Sequence, residues 1–118
     1  MGNSPTQRSL DHLRDGGWAP GVVERHPRPK VTIDLWGFAD IIAMKHGRTP
    51  MLVQTTTGSN LAARRKKIHA SDLAALALQS GFRIVLHGWV AGRKEPREEE
   101  VTLSQIMTAR ARIIGGGR

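Results

Sequence analysis

Apolar and polar positions fall along this chain in blocks short enough to read as separate elements. Ser4-Pro5 opens "SPTQRSLDHLRDGG", in which Leu10 and Leu13 form a narrow apolar stripe ahead of Gly16-Gly17. A capping serine, a proline in the first turn and a paired-glycine stop predict a helix. "GVVERH" predicts a short strand, broken by the "PRP" of Pro27 to Pro29. "VTIDLWGFADIIAMK" predicts a long strand bent at Gly37, "HGRT" a turn, and "PMLVQTTT" the returning strand. Gly58, Ser59 and Asn60 lead into a helical region from Leu61 to Ser80, ended by Gly81. Within it, Ser71 before Asp72 has the form of a second N-cap. "FRIVLHGWVA" has the length and content of a buried strand. "GRKEPREEE" reads as an exposed charged loop, and "EVTLSQIM" as a last strand or strand-to-helix segment.

The predicted order is helix, three strands, helix, strand and a final short element. This is an α/β fold with a mixed sheet flanked by helices. The first three strands, joined by short turns, are expected to be antiparallel. The passage from "PMLVQ" to "FRIVLHGWV" is expected to be a right-handed crossover between parallel strands. At 118 residues the chain supports one core. Residues 1–112 are assigned to a single domain and 113–118, "IIGGGR", to a flexible tail.

Charge narrows the partners. Eighteen Lys and Arg stand against ten Asp and Glu, a net charge of +8. A small domain of this charge is expected to meet a polyanion: DNA first, RNA next, an anionic membrane surface after them. With no cysteine there is neither a disulfide nor a thiolate metal site, and the scattered histidines lack zinc spacing. No apolar run approaches the ~20 residues of a membrane span, and "MGNSPTQRSL" has no signal-peptide core. A cytoplasmic location and no membrane association are the resulting expectations.

Candidate chemistry comes from the hairpin "GFADIIAMKHGRTPMLVQTTTGSN". With the turn centred near Gly47, antiparallel partners sum to about 94. Asp40 then faces Gln54 or its neighbour, and Thr56 projects from the same strand face as Gln54. Asp34 ranks lower, because six strand residues span roughly 20 Å and only a sharp fold at Gly37 returns it to the site. Glu24 counts nearer to Asp34 than to Asp40 and ranks lower still.

Those residues and that order resemble the PD-(D/E)xK nuclease superfamily, and within it Holliday-junction resolvases and small phage-type endonucleases. The resemblance runs from Pro5 to about Val90. It implies a restriction-endonuclease-like αβββαβ core and metal-dependent DNA cleavage, with branched DNA as one substrate. It also implies Mg²⁺ or Mn²⁺ as cofactor, and often a homodimer. Asp40 matches the second-strand acid. Gln54 and Thr56 fall where the third strand of the family carries an acid and a lysine, so the motif is degenerate. Asp40 and Gln54 are the implied metal ligands, and Asp40, Gln54 and Thr56 the implied catalytic set. Asp11 matches the acid that the family often carries on its first helix. Gln54 retains a carbonyl oxygen for a hard cation, but Thr56 brings no positive charge.

Arg64, Arg65, Lys66 and Lys67 are the nearest cations in sequence. At 100° per residue they point around a whole helix, and a nucleic-acid phosphate role is assigned to them, extended by Arg25, Arg28 and Lys30. A solvated helix face is the plainer reading of the same run. Trp18, Trp36 and Trp89 are expected to pack in the core or at the domain edge rather than stack on bases, with Trp36 the one aromatic to consider as a DNA-facing wedge. Two further functions stand beside the endonuclease. One is a nuclease-fold module that binds nucleic acid without cutting it. The other is a subunit that dimerises through the "LAALAL" face, Leu73 to Leu78.

Overall fold

The computed structural model describes residues 3–115. In chain order it runs α1 (Pro5–Asp15), β1 (Ala19–Val22), β2 (Arg25–Arg28), β3 (Val31–Ile33), β4 (Ile41–Met44) and β5 (Met51–Thr57). A 3-10 turn (Gly58–Asn60) then leads to α2 (Leu61–His69), α3 (Asp72–Gln79), β6 (Arg83–Trp89), β7 (Arg97–Val101) and α4 (Leu103–Gly115). The caps form where serine placed them. Ser4 Oγ accepts the Gln7 amide at 3.2 Å, and Ser71 Oγ accepts the Ala74 amide at 3.1 Å, so α2 and α3 are separate helices.

Five strands make a mixed sheet in the order β1-β4-β5-β6-β7. β1 and β4 pair antiparallel, as do β4 and β5, while β5 and β6 pair parallel through the α2–α3 crossover. β7 closes the far edge antiparallel to β6. Side chains alternate between two cores. Met51, Val53 and Val85 pack with Leu10 and Leu13 of α1 on one face. Leu52, Ile84 and Leu86 pack with Ile68, Ala74 and Ile106 of α2, α3 and α4 on the other. β5 and β6 are buried on both faces, as parallel neighbours inside an α/β sheet must be. The close approach of the 3-10 turn to β6 requires glycine: a Cβ at Gly88 would stand 3.1 Å from a Leu61 methyl and 3.3 Å from the Gly58 Cα.

Three expectations are corrected. The strand expected over "GVVERH" ends at Val22, and Arg25 to Arg28, which includes Pro27, is a strand of its own. It pairs with β3 in a two-stranded hairpin outside the main sheet, where a proline without an amide hydrogen costs little. The long strand expected over "VTIDLWGFADIIAMK" is likewise two, β3 and β4, separated by a tight loop. Part of the expected charged loop, Arg97 to Glu100, is strand β7, because an edge strand tolerates one charged face. "LSQIM" begins a helix, and its backbone runs to Gly115. Residues 116–118 of the expected tail lie outside the described residues. Among the described residues no helix is long and apolar enough to cross a membrane.

Candidate metal centre at the end of the sheet

Asp40 and Gln54 meet because of the β4–β5 register. Ile41 pairs with Val53 and Ile42 with Leu52, so one further step sets Asp40 opposite Gln54, as the hairpin arithmetic predicts. The Asp40 backbone is held on both sides. Its amide donates to the Val53 carbonyl at 2.9 Å, and its carbonyl accepts the Val23 amide at 2.9 Å. The carboxylate accepts the Thr55 amide at 2.8 Å. The Gln54 Nε2 group donates at 3.4 Å both to Asp40 Oδ2 and to Asp34 Oδ2.

Asp34 arrives by the sharp fold that the sequence made its condition. Between β3 and β4 the chain turns on itself, with a bridge between Leu35 and Ala39. Trp36 at φ 55° and Gly37 at φ 80° make the reversal, the second at no steric cost and the first under strain. Glu24 arrives from the opposite end of the same insertion, just past β1. One carboxylate oxygen from each of Glu24, Asp34 and Asp40 lies within 4.8 Å of the other two. Counting along an unbroken strand had demoted both Glu24 and Asp34; the prolines at 27 and 29 and the Trp36-Gly37 pair were the signals that the strand is not continuous. Glu24 also accepts from the Thr6 hydroxyl at 3.5 Å and faces His26 Nε2 at 3.5 Å.

This crowding changes Asp40. It is only 4 % exposed. Burial pushes its carboxyl up to about 8, helped by the hydrogen bond with Asp34 and the charges of Asp34 and Glu24, and opposed by the Thr55 amide. Beside it, the Gln54 side chain is 2 % exposed and its Oε1 has no hydrogen-bond partner. A buried amide oxygen without a partner costs on the order of 1–3 kcal/mol. The group thus brings three carboxyl groups together, with the Gln54 amide beside them turned Nε2-first and its Oε1 unsatisfied. Hard divalent cations take such a set.

The remaining sequence candidates are spread differently. Thr56 is buried and lies two residues beyond Gln54 on β5, its side chain on the same sheet face by strand alternation. Asp11 is exposed on α1, where it accepts from Gln7 Nε2 at 3.0 Å and pairs with Arg14 at 3.8 Å, so it does not join the acids. Arg65 makes a bidentate pair with Glu99 on β7, at 2.6 and 2.9 Å. Leu61 and Ile68 are buried against the sheet. At 100° per residue Arg64 is therefore turned to the flank opposite Arg65, the β5 side. It is half-buried with no hydrogen-bond or ion-pair partner among the described residues, while Lys66 and Lys67 are exposed. Arg25, Arg28 and Lys30 are exposed on the β2–β3 hairpin. Compared with protein-family models, curated proteins and solved structures, the chain matches none.

Proposed function

We propose that the protein is a divalent-metal-dependent endonuclease of PD-(D/E)xK type that hydrolyses DNA phosphodiesters, branched DNA among its substrates. The observation that carries this reading is the convergence of Glu24, Asp34 and Asp40, with the Gln54 side chain against two of them and its Oε1 left without a partner. The order α1, β1, β4, β5, crossover helices, β6 supports it as well, since it follows the αβββαβ core with the β2–β3 hairpin inserted.

The donor set fits Mg²⁺ or Mn²⁺, which take carboxylate and carbonyl oxygens. Glu24, Asp34 and Asp40 would hold the ion, and Gln54 would join them after a half-turn of its amide that exchanges Nε2 for Oε1. The bound ion supplies charge stabilisation at the phosphoryl oxygens and makes a water more acidic. The protein's own groups do the rest. The Thr55 amide fixes the direction of the Asp40 carboxylate. To act as a ligand Asp40 would have to be ionised, and its burial favours the protonated form until a cation compensates the charge. Arg64 flanks β5 as the cation that Thr56 does not supply, and Thr56 orients water. The exposed cations of the hairpin and of α2 hold phosphates.

A second reading, a module that binds nucleic acid without cleaving it, is favoured by Thr56 at the lysine position. Cleavage of four-way-junction and linear DNA in Mg²⁺ and in Mn²⁺ separates the two. Wild-type cleavage that is lost in Asp40→Asn is expected. DNA bound but uncut in both metals assigns the protein to the second reading.

A further inference from the structure

Trp36 is the residue that packing least explains. Its side chain sits 43 % exposed while its backbone is held at φ 55°. A left-handed conformation is uncommon in residues other than Gly, Asn or Asp and strained in a bulky one. Such strain persists only where the surrounding structure holds it, and it clusters at binding and active sites. Here it presents an indole to solvent. The ring is steadied from one side, edge-on to Phe82 with centroids 6.1 Å apart at 62°. It lines a groove of about 220 Å³ with Leu73, Leu76, Ala77, Ser80 and Phe82.

The groove is small. Pockets that enclose a whole drug-sized ligand run from about 300 Å³ upward, so this one suits a single flat heterocycle rather than a peptide helix. Its position is set by the chain. Trp36 is two residues from Asp34, which caps separation of their Cα atoms at roughly 7 Å. On the other side of Asp34 stands the β2–β3 hairpin with Arg25, Arg28 and Lys30 exposed. A polyanion drawn to those cations passes the indole within one or two nucleotides.

We infer that Trp36 and the α3 groove form a base-stacking subsite for one unpaired nucleobase next to the cation centre. The inference rests on the nuclease reading and names its substrate: a strand with at least one base out of the duplex, as at a branch, flap or single-stranded end. Stacking on an indole is indifferent to base identity, because every base has a π face. The subsite therefore selects structure, not sequence. The apolar walls from Leu73 and Leu76 take up the edge of the base, and Ser80 is the hydroxyl-bearing residue among those that line the groove.

Binding in EDTA tests this without cleavage, by fluorescence anisotropy of one labelled oligonucleotide offered single-stranded, as a blunt duplex, and single-stranded with one abasic position moved along it. Wild type is expected to prefer the single strand and to lose affinity when one particular base is removed. Trp36→Ala is expected to bind the single strand about ten-fold more weakly, to bind the duplex as wild type does, and to be blind to the abasic position. Trp36→Phe keeps a ring and is expected to retain most of the preference; melting curves for both variants verify that they fold. Equal single-strand affinity for wild type and Trp36→Ala, with both binding DNA, overturns the subsite and leaves the nuclease reading standing. No DNA binding by wild type at low salt removes both. A wild-type dimer in sedimentation that Trp36→Ala or Leu76→Glu dissociates gives the groove to a second copy of the chain and also overturns the subsite.

Discussion

At the scale of single residues, Asp40 is the group through which the fold should respond to pH and, on the proposed reading, to metal. Its unfolded carboxyl titrates near 3.8 and its folded one at about 8. Between those values the native chain keeps a proton that the unfolded chain has lost. Stability is therefore greatest on the acidic side of this window, falls as pH rises through it, and levels off above about 8. One proton contributes a slope of at most about 1.4 kcal/mol per pH unit. Asp40→Asn removes the titrating charge and should flatten this part of the profile. Chemical denaturation in EDTA across the window measures it, and parallel profiles for the two proteins would refute the assignment. Mg²⁺ should restore wild-type stability most strongly above about pH 8, because there it replaces a proton already gone. Glu24→Gln and Asp34→Asn should each weaken that rescue, whereas Asp11→Asn, at an exposed position on α1, should leave it as it is.

At the scale of elements, α1 is tied to the sheet by a buried polar chain. Trp89 Nε1 donates to Ser9 Oγ at 2.8 Å, Ser9 Oγ lies 2.9 Å from His87 Nδ1, and His87 Nε2 lies 3.4 Å from Glu98. The direction Trp89 to Ser9 to His87 to Glu98 gives every group a partner, and the hydrogen bond from His87 pulls the Glu98 carboxyl down. A serine, a histidine and an acid in sequence look like a nucleophile set, but Ser9 and His87 are 0 % exposed and no substrate reaches them. Ser9→Ala leaves two buried groups without a partner and should cost about 1–3 kcal/mol in urea unfolding, with metal titrations unchanged. This chain also marks where sequence reading stops. The caps at Ser4 and Ser71 and the β4–β5 register are local, set by neighbouring residues, and were legible. Ser9 to His87 is a contact across 78 residues of chain, with no periodicity to announce it. The acids behave likewise: Asp40 opposite Gln54 follows from one hairpin, but Glu24 and Asp34 join only because an insertion leaves the sheet and returns. Strand counting holds only where the strand is unbroken, and Trp36-Gly37 breaks it.

At the scale of the whole molecule, the useful question is where the net charge of +8 remains free to act. Arg65, Arg83 and Arg110 are each committed to an acid, Glu99, Glu100 and Asp72. Among the described residues, Arg25, Arg28 and Lys30 have no such partner, and they share one small hairpin. That hairpin is rooted at both ends in the carboxylate group, by Glu24 before β2 and Asp34 after β3. A basic arm thus rises directly from the acidic centre; on the proposed nuclease reading it would bring phosphates to carboxylates that otherwise repel them. The salt dependence of binding reads this out. Each phosphate contact contributes about 0.9 to the slope of log K against log salt on duplex DNA. Replacing Arg25, Arg28 and Lys30 together by alanine should flatten the slope by one contact or more and slow association at low salt. Lys66→Ala with Lys67→Ala, on the outward face of α2, should flatten it separately and additively if that face also holds phosphates. Arg65→Ala should leave the slope unchanged and lower stability instead, because its guanidinium already serves Glu99. A hairpin variant with the wild-type slope would mean that DNA approaches from another side, and the acids would then have no phosphate delivered to them.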